Sequence, residues 1–418
     1  MIVQRAHHLS SGLSGPCLHV SAGCRERPAQ HCIEGGMEKL ATHSPITLPE
    51  TGGAILGCPL HRDDVAPLHL LKAEDLPASA AMIRQLISQE TVAALRLVVR
   101  VGPHDSDAHA LAVVDAALRR LPVPVAPATY TDAERRSVPE DLYEEHDQFF
   151  GAVRVIGNPV EVFTRTTLEA VRSQLHDALS AGVGLQTEEW AQLRSSFWTT
   201  FHLLWRIGAV DSPWVDLGHE EQPPPELDIR PVSLDPLIRW RLGHQVFFAL
   251  IQALVVTVGC LDECLGEDRG ADGAEEASRL IEDATVLMIG SGAALRYAGD
   301  FTRSLYADVV RPAMMPPHIN PKFSGLQLRD HRMLLNQLRR VKPRLNAAAP
   351  RVHESYGRLV EAMSTAYDAH VAVCARFNGD QESSLRTPGS KVPAVGVLRR
   401  FQKQRAGAVS LDPRVEEP

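Results

Sequence analysis

The sequence lacks the features that mark nucleic-acid binders, secreted proteins and membrane proteins. Basic residues do not dominate: 43 Lys and Arg stand against 51 Asp and Glu, a formal charge of −8. No global positive field gathers phosphate, which excludes general nucleic-acid binding. No apolar stretch reaches the roughly 20 residues that a membrane helix needs. The longest run, Val246 to Leu261, is interrupted by Gln252 and Thr257 and reads as a buried helix. Near the N-terminus His, Cys, Arg and Gly break every candidate leader. The seven cysteines are odd in number and scattered, so no disulfide framework is expected and a reducing, cytoplasmic setting is the simpler reading. No Walker motif and no Gly-x-Ser-x-Gly elbow occur, and Gly290-Ser291-Gly292 follows no strand, so it makes no phosphate loop. Nor does any period of about 20 to 50 residues repeat, which excludes a solenoid.

What is present is helix. At 418 residues and 44% hydrophobic the chain suits a globular protein with a sizeable core. Residues 1 to 60 stand apart, with four of the seven cysteines and no sustained periodicity. They read as a disordered extension, or as one translated from an upstream start with Met37 an internal start. Residues 61–380 carry the helical domain, and residues 381–418 a polar, basic tail that reads as a solvated extension. Within the domain, Ala80 to Val99 reads as one amphipathic helix and Ala108 to Leu121 as another. Leu97 to Val101 and Val153 to Ile156 are short β-branched runs with strand character but no evident partner. Thr187 to Ile207 is a helix holding Trp190, Phe197, Trp198, Phe201 and Trp205, although aromatics make up only 5% of the chain. Ala209 to Pro236 is a proline-containing loop. A helix over Ala274 to Val310 is expected to bend at Gly290-Ser291-Gly292. Ser324 is read as the N-cap of the next helix and Pro343 as its end.

Two isolated clusters have bland explanations. His104-Asp-Ser-Asp-Ala-His109 reads as a solvated turn before a helix. Cys260 and Cys264 lie one turn apart in an apolar helix without the four ligands that a structural zinc requires, so they read as buried thiols. A more specific pattern lies in Val352 to Phe377. Tyr356, Val360, Met363, Tyr367, His370, Cys374 and Phe377 recur at alternating steps of four and three, all on one helical face. In the preceding helix His331 lies on the stripe of Leu328, Leu335 and Leu338. Neutral imidazoles on two buried faces are suited to hold a haem iron, and a thiol one turn beyond His370 to meet the haem edge, adding to a vinyl group as a single thioether. The same stripes also describe ordinary core packing, and His-x-x-x-Cys reverses the usual Cys-x-x-Cys-His order of c-type haem sites. Spacing alone leaves both readings open.

His331, then 38 intervening residues, then His370-Val-Ala-Val-Cys374 resembles the His-xn-His-x-x-x-Cys motif of the haem-dependent 3-methyl-L-tyrosine hydroxylases, or peroxygenases, of saframycin biosynthesis. The segments Arg296-Tyr297, VVRPAMMPP and FSGLQLRDHRMLLNQLRR are similar as well, and the likeness spans roughly residues 70 to 380. The resemblance implies an all-α bundle enclosing haem, as in tryptophan 2,3-dioxygenase. It implies His331 and His370 as axial ligands, with Cys374 the covalent anchor of a c-type-like haem. The implied reaction converts 3-methyl-L-tyrosine to 3-hydroxy-5-methyl-L-tyrosine for tetrahydroisoquinoline antibiotics, using hydrogen peroxide, or dioxygen with an ascorbate-like reductant. Two bound histidines leave iron no open position, so one must be displaced. Because Cys374 tethers the haem beside His370, the expected leaving ligand is His331, which then serves as the general acid–base. Arg296, Tyr297, Arg303 and Tyr306 are weighed as substrate contacts against a structural role, and none is assigned. The sequence leaves homo-oligomerisation open. Two other classes remain: a bis-histidine electron-transfer or sensor protein, and a helical interaction protein without cofactor.

Overall fold

The architecture grows from one apolar helix. In the computed structural model, which describes residues 65–102, 105–124, 141–209, 229–266, 270–316, 318–319, 328–379 and 393–411, that helix runs Pro236–Gly266. It is hydrophobic on all sides because all its sides are covered: 89% of its most apolar window is buried inside the protein. It is the one helix among the described residues long and apolar enough to cross a membrane, and that burial makes it a core helix.

Preceding it are β1 (Leu68–Leu70), α1 (Ala80–Leu86), α2 (Gln89–Val98), α3 (Asp107–Leu118), α4 (Asp141–Phe149), β2 (Ala152–Arg154), α5 (Pro159–Ala181) and α6 (Thr187–Leu204). The apolar helix is therefore α7; α8 (Gly270–Ala298), α9 (Arg329–Asn346), α10 (Pro350–Asn378) and α11 (Ala394–Val409) follow. Among the described residues the fold is all-helical apart from β1 and β2, three residues each, which pair in parallel with Leu68 opposite Ala152. Helix α8 packs against α7, α10 and α6, and α9 lies on another side of α7.

Local chemistry explains where these elements begin and end. The amphipathic stretch expected over Ala80 to Val99 is two helices, because Ser88 caps a new one by accepting from the Thr91 amide. Leu97 and Val98 close α2 rather than form a strand, whereas Val153 does lie in β2. Helix α8 runs unbroken through Gly290-Ser291-Gly292. Those glycines serve packing. A Cβ on Gly290 would lie 2.3 Å from the Ser196 side chain in α6, and one on Gly292 3.1 Å from the Ala366 Cα in α10. Gly243 does the same at the α7–α8 crossing, where a Cβ would fall 2.3 Å from the Ala298 Cα. Pro343 lies inside α9, on the exposed side of its last turn, so its missing donor does not end the helix. Helix α10 ends at Gly379, whose φ of +74° favours glycine.

The largest departure from expectation is the tail. Helix α11 packs against α9 and α10. Its charges cover one face, while Ala394, Leu398 and Val409 on the other are buried. The Tyr356 hydroxyl donates to the Val409 carbonyl at 3.0 Å, and Gln402 Nε2 donates to the Ser364 carbonyl at 3.0 Å. The expected extension over residues 1–60, His104, Ser324 and most of the loop from Ala209 to Pro236 lie outside the described residues.

Candidate active site

His331 enters the site from the first turn of α9, and the residue before it sets its position. Asp330 is fully buried and accepts from Arg154 Nη2 at 2.8 Å, Arg154 Nη1 at 3.2 Å and Gln252 Nε2 at 2.8 Å. Arg154 also donates to Asp147 at 2.9 Å and to the Leu71 carbonyl at 2.8 Å. This knot joins β2, α4, α7 and α9, fixing the rotation of α9 and with it the direction of His331. Burial alone would raise Asp147, but the Arg154 charge and its hydrogen bonds, with His146 close by, prevail and hold it at about 2.

His370, from α10, lines the same cavity as His331. The cavity encloses about 880 Å³ of atom-free space, its open mouth included. Its walls are mainly apolar, with Phe248, Ile251, Leu295, Leu334 and Met363 among them. Burial, Arg405 and His370 push His331 down to about 3, and burial with Arg405 pushes His370 to about 4. Both rings are therefore neutral near pH 7, the form that binds a metal. Cys374 lines a smaller adjoining space of about 340 Å³, which shares His244, Leu295 and His370 with the first. Burial pushes its thiol up to about 11. Cys260 and Cys264 are buried elsewhere, as expected of core thiols, with Cys260 pushed to about 12.

Three further residues of the site have no role in the sequence reading. The Tyr367 hydroxyl lies 3.4 Å from His331 Nε2 and accepts from Arg405 Nη1 at 2.6 Å. Arg405 belongs to α11, hidden in a segment whose charges suggested solvent. His244 lines both spaces, with Nδ1 2.7 Å from the Trp240 carbonyl, so Nδ1 carries the proton and Nε2 is left as the acceptor. A signal for it existed: Trp240, His244 and Phe248 recur at steps of four on α7. Burial, opposed by the Trp240 carbonyl and aided by His146 and His370, lowers His244 to about 3.

The depressed His244 value predicts a pH effect on stability. Above about 6.5 both folded and unfolded states hold it neutral; below, only the unfolded state takes the proton until about pH 3. Stability should fall with pH by about 1.4 kcal/mol per unit from this group. Denaturant titrations between pH 6 and pH 4 should show the wild type losing stability faster than His244→Gln; parallel slopes would contradict the assignment.

The residues weighed as substrate contacts are mostly structural. Arg296 pairs with Glu189 at 2.9 Å. Tyr297 is fully buried, with its hydroxyl on Asp177 and Arg239 4.8 Å above its ring. Arg303 is exposed. Tyr306 alone reaches the site, stacked on Phe377 at 4.3 Å in the wall of the smaller space. Among the described residues no three His, Cys, Asp or Glu side chains converge as a bare metal site.

The fold and site define a class: an all-helical protein whose bundle holds a mainly apolar cavity faced by imidazoles from separate helices. The chain belongs to the SfmD 3-methyl-L-tyrosine peroxygenase family, whose profile matches residues 69–355. It is 31% identical to a 3-methyl-L-tyrosine peroxygenase of Streptomyces lavendulae over 352 residues, which cover 84% of this chain and 93% of the relative. A crystal structure of reduced SfmD superposes with a TM-score of 0.57 at 27% identity, covering 74% of this chain and 98% of that one.

Proposed function

We propose that the protein is a haem-dependent peroxygenase that hydroxylates the ring of 3-methyl-L-tyrosine, or of a closely related tyrosine, to the corresponding catechol. The observation that carries this reading is the convergence of His331 and His370, from two helices, on one apolar cavity with Cys374 a turn farther along. Family membership supports the reaction class, an oxidoreductase acting on an aromatic amino acid. The residues fit haem. A porphyrin brings four nitrogens of its own and asks the protein for one or two neutral imidazoles and an apolar enclosure. His331 and His370 would hold the iron, and Cys374, still a thiol at neutral pH, would add its S–H across a vinyl group.

When bound, the haem would supply the activation of peroxide, or of dioxygen with an ascorbate-like reductant. With peroxide a hydroxyl replaces one ring hydrogen, and that hydrogen leaves with the second peroxide oxygen as water. The chain's own part is positioning and proton movement. His331 is the histidine assigned to acid–base work, because no covalent bond restrains it and Tyr367 offers its Nε2 another partner. Its neutral Nε2 can take a proton from peroxide and return it as water forms. His370 is the fixed ligand, restrained by Cys374. The product suits tetrahydroisoquinoline antibiotic assembly.

Incubation with 3-methyl-L-tyrosine and peroxide should give a product one oxygen heavier that reacts as a catechol. Redox cycling of the haem with no such product would favour the electron-transfer or sensor reading instead. Cys374→Ser should make the haem extractable by acidic solvent, while wild type retains it. A haem that stays attached in the variant would refute the anchor.

A further inference from the structure

Among the described residues, one charged side chain on the cavity wall, Arg405, has no partner of opposite charge. Arg405 donates to the Tyr367 hydroxyl at 2.6 Å, and its guanidinium sits 5.6 Å from the Tyr367 ring centre and 5.2 Å from that of Phe401. No carboxylate among the described residues pairs with it. Arg405 is half-buried, and the part of its guanidinium turned from water onto apolar space loses hydration that the aromatic platforms replace only in part. Arginine's planar fork matches a carboxylate with two parallel hydrogen bonds, of which Tyr367 occupies one donor.

Position along α10 sharpens the point. Tyr367 lies one turn before His370 and Cys374 one turn after it on the same face. The cation therefore meets the cavity at the end opposite the thiol. A ligand anchored at Cys374 by an apolar edge and running along α10 past His370 would bring its far end toward Arg405.

We infer that Arg405 is the carboxylate-binding residue of this cavity, taking a carboxylate of the molecule enclosed there, and that α11 closes over the site to deliver it. The inference rests on the function proposed above, whose two ligands both carry the group: haem has propionates and the amino acid has an α-carboxylate.

The experiment compares the purified holoenzyme with Arg405→Met and Arg405→Lys, after circular dichroism and thermal unfolding establish that α11 remains folded. Resonance Raman follows the haem propionate bending band. Calorimetry follows binding of 3-methyl-L-tyrosine and of 3-methyltyramine, the same molecule without its carboxylate. If the source is propionate, the band shifts in Arg405→Met and the two affinities keep their wild-type ratio. If it is substrate, the amino acid binds about ten- to a hundredfold more weakly while the amine is unaffected and the band stays in place. Arg405→Lys, keeping charge without the fork, should fall between wild type and Arg405→Met. An unmoved band with an unchanged affinity ratio overturns the inference, as does equal loss of both ligands with no band shift. A wild-type protein without a Soret band would defeat the haem reading separately, and the calorimetric comparison would still decide the role of Arg405.

Discussion

His331→Ala should retain its haem and lose its turnover. His370 and Cys374 lie on one helix and, in the proposed roles, would keep the group in place, so the variant should purify coloured, with a spectrum altered by loss of one imidazole. Acid–base catalysis by a positioned histidine contributes about 10²- to 10⁴-fold, and hydroxylation of 3-methyl-L-tyrosine should fall by that order. Burial, Arg405 and His370 lower His331 to about 3, so its ring is unprotonated near neutral pH with a lone pair free for the transfer. Removing the fixed ligand should act differently: His370→Ala should disturb the resting spectrum and haem loading. Single-turnover assays with spectra recorded on the same samples separate the two. A His331→Ala protein with normal rate and normal coordination would sink the assignment.

Arg154→Ala should destabilise the fold by about 3–5 kcal/mol, the usual result of removing one partner from a buried ion pair. Asp330 would be left wholly buried with Gln252 alone, and Asp147 would lose its counter-charge. Denaturant unfolding measures the loss directly. The effect should depend on pH. Asp147 is held at about 2 against an ordinary 3.8, so its stabilisation is present above about pH 4 and disappears as pH falls toward 2. The gap between wild type and Arg154→Ala should therefore narrow in acid. Because Asp330 precedes His331, a milder variant such as Arg154→Lys should also alter the haem spectrum, which damage to a distant core pair would not do.

Parts of this site could be read from the chain, and parts could not, for physical reasons. His370, Cys374 and Tyr367 share a stripe of regular period, and period is what a one-dimensional reading detects. The match of three ligand-type residues across about forty positions then pointed to haem, which the stripe alone did not. His244 carries a weaker version of the same signal, at steps of four within an apolar helix. Arg154 and Asp330 are 176 residues apart, and their pairing exists only after folding. Arg405 was hidden by its neighbours: the charges of Arg399, Arg400 and Lys403 made α11 look solvated, although Ala394, Leu398 and Val409 turn inward. Pro343 misled in the opposite way. Proline breaks helices on average, but Pro343 falls on the exposed side of a last turn.

The central claim is that the cavity between α9 and α10 holds haem through its two histidines. The most direct measurement is the absorption spectrum of protein purified from haem-replete cells, beside the His331→Ala/His370→Ala double variant. The account predicts a Soret band with bis-imidazole visible bands in the wild type, shifted or lost in the double variant. A wild type without a Soret band, or the same spectrum in both proteins, would contradict it.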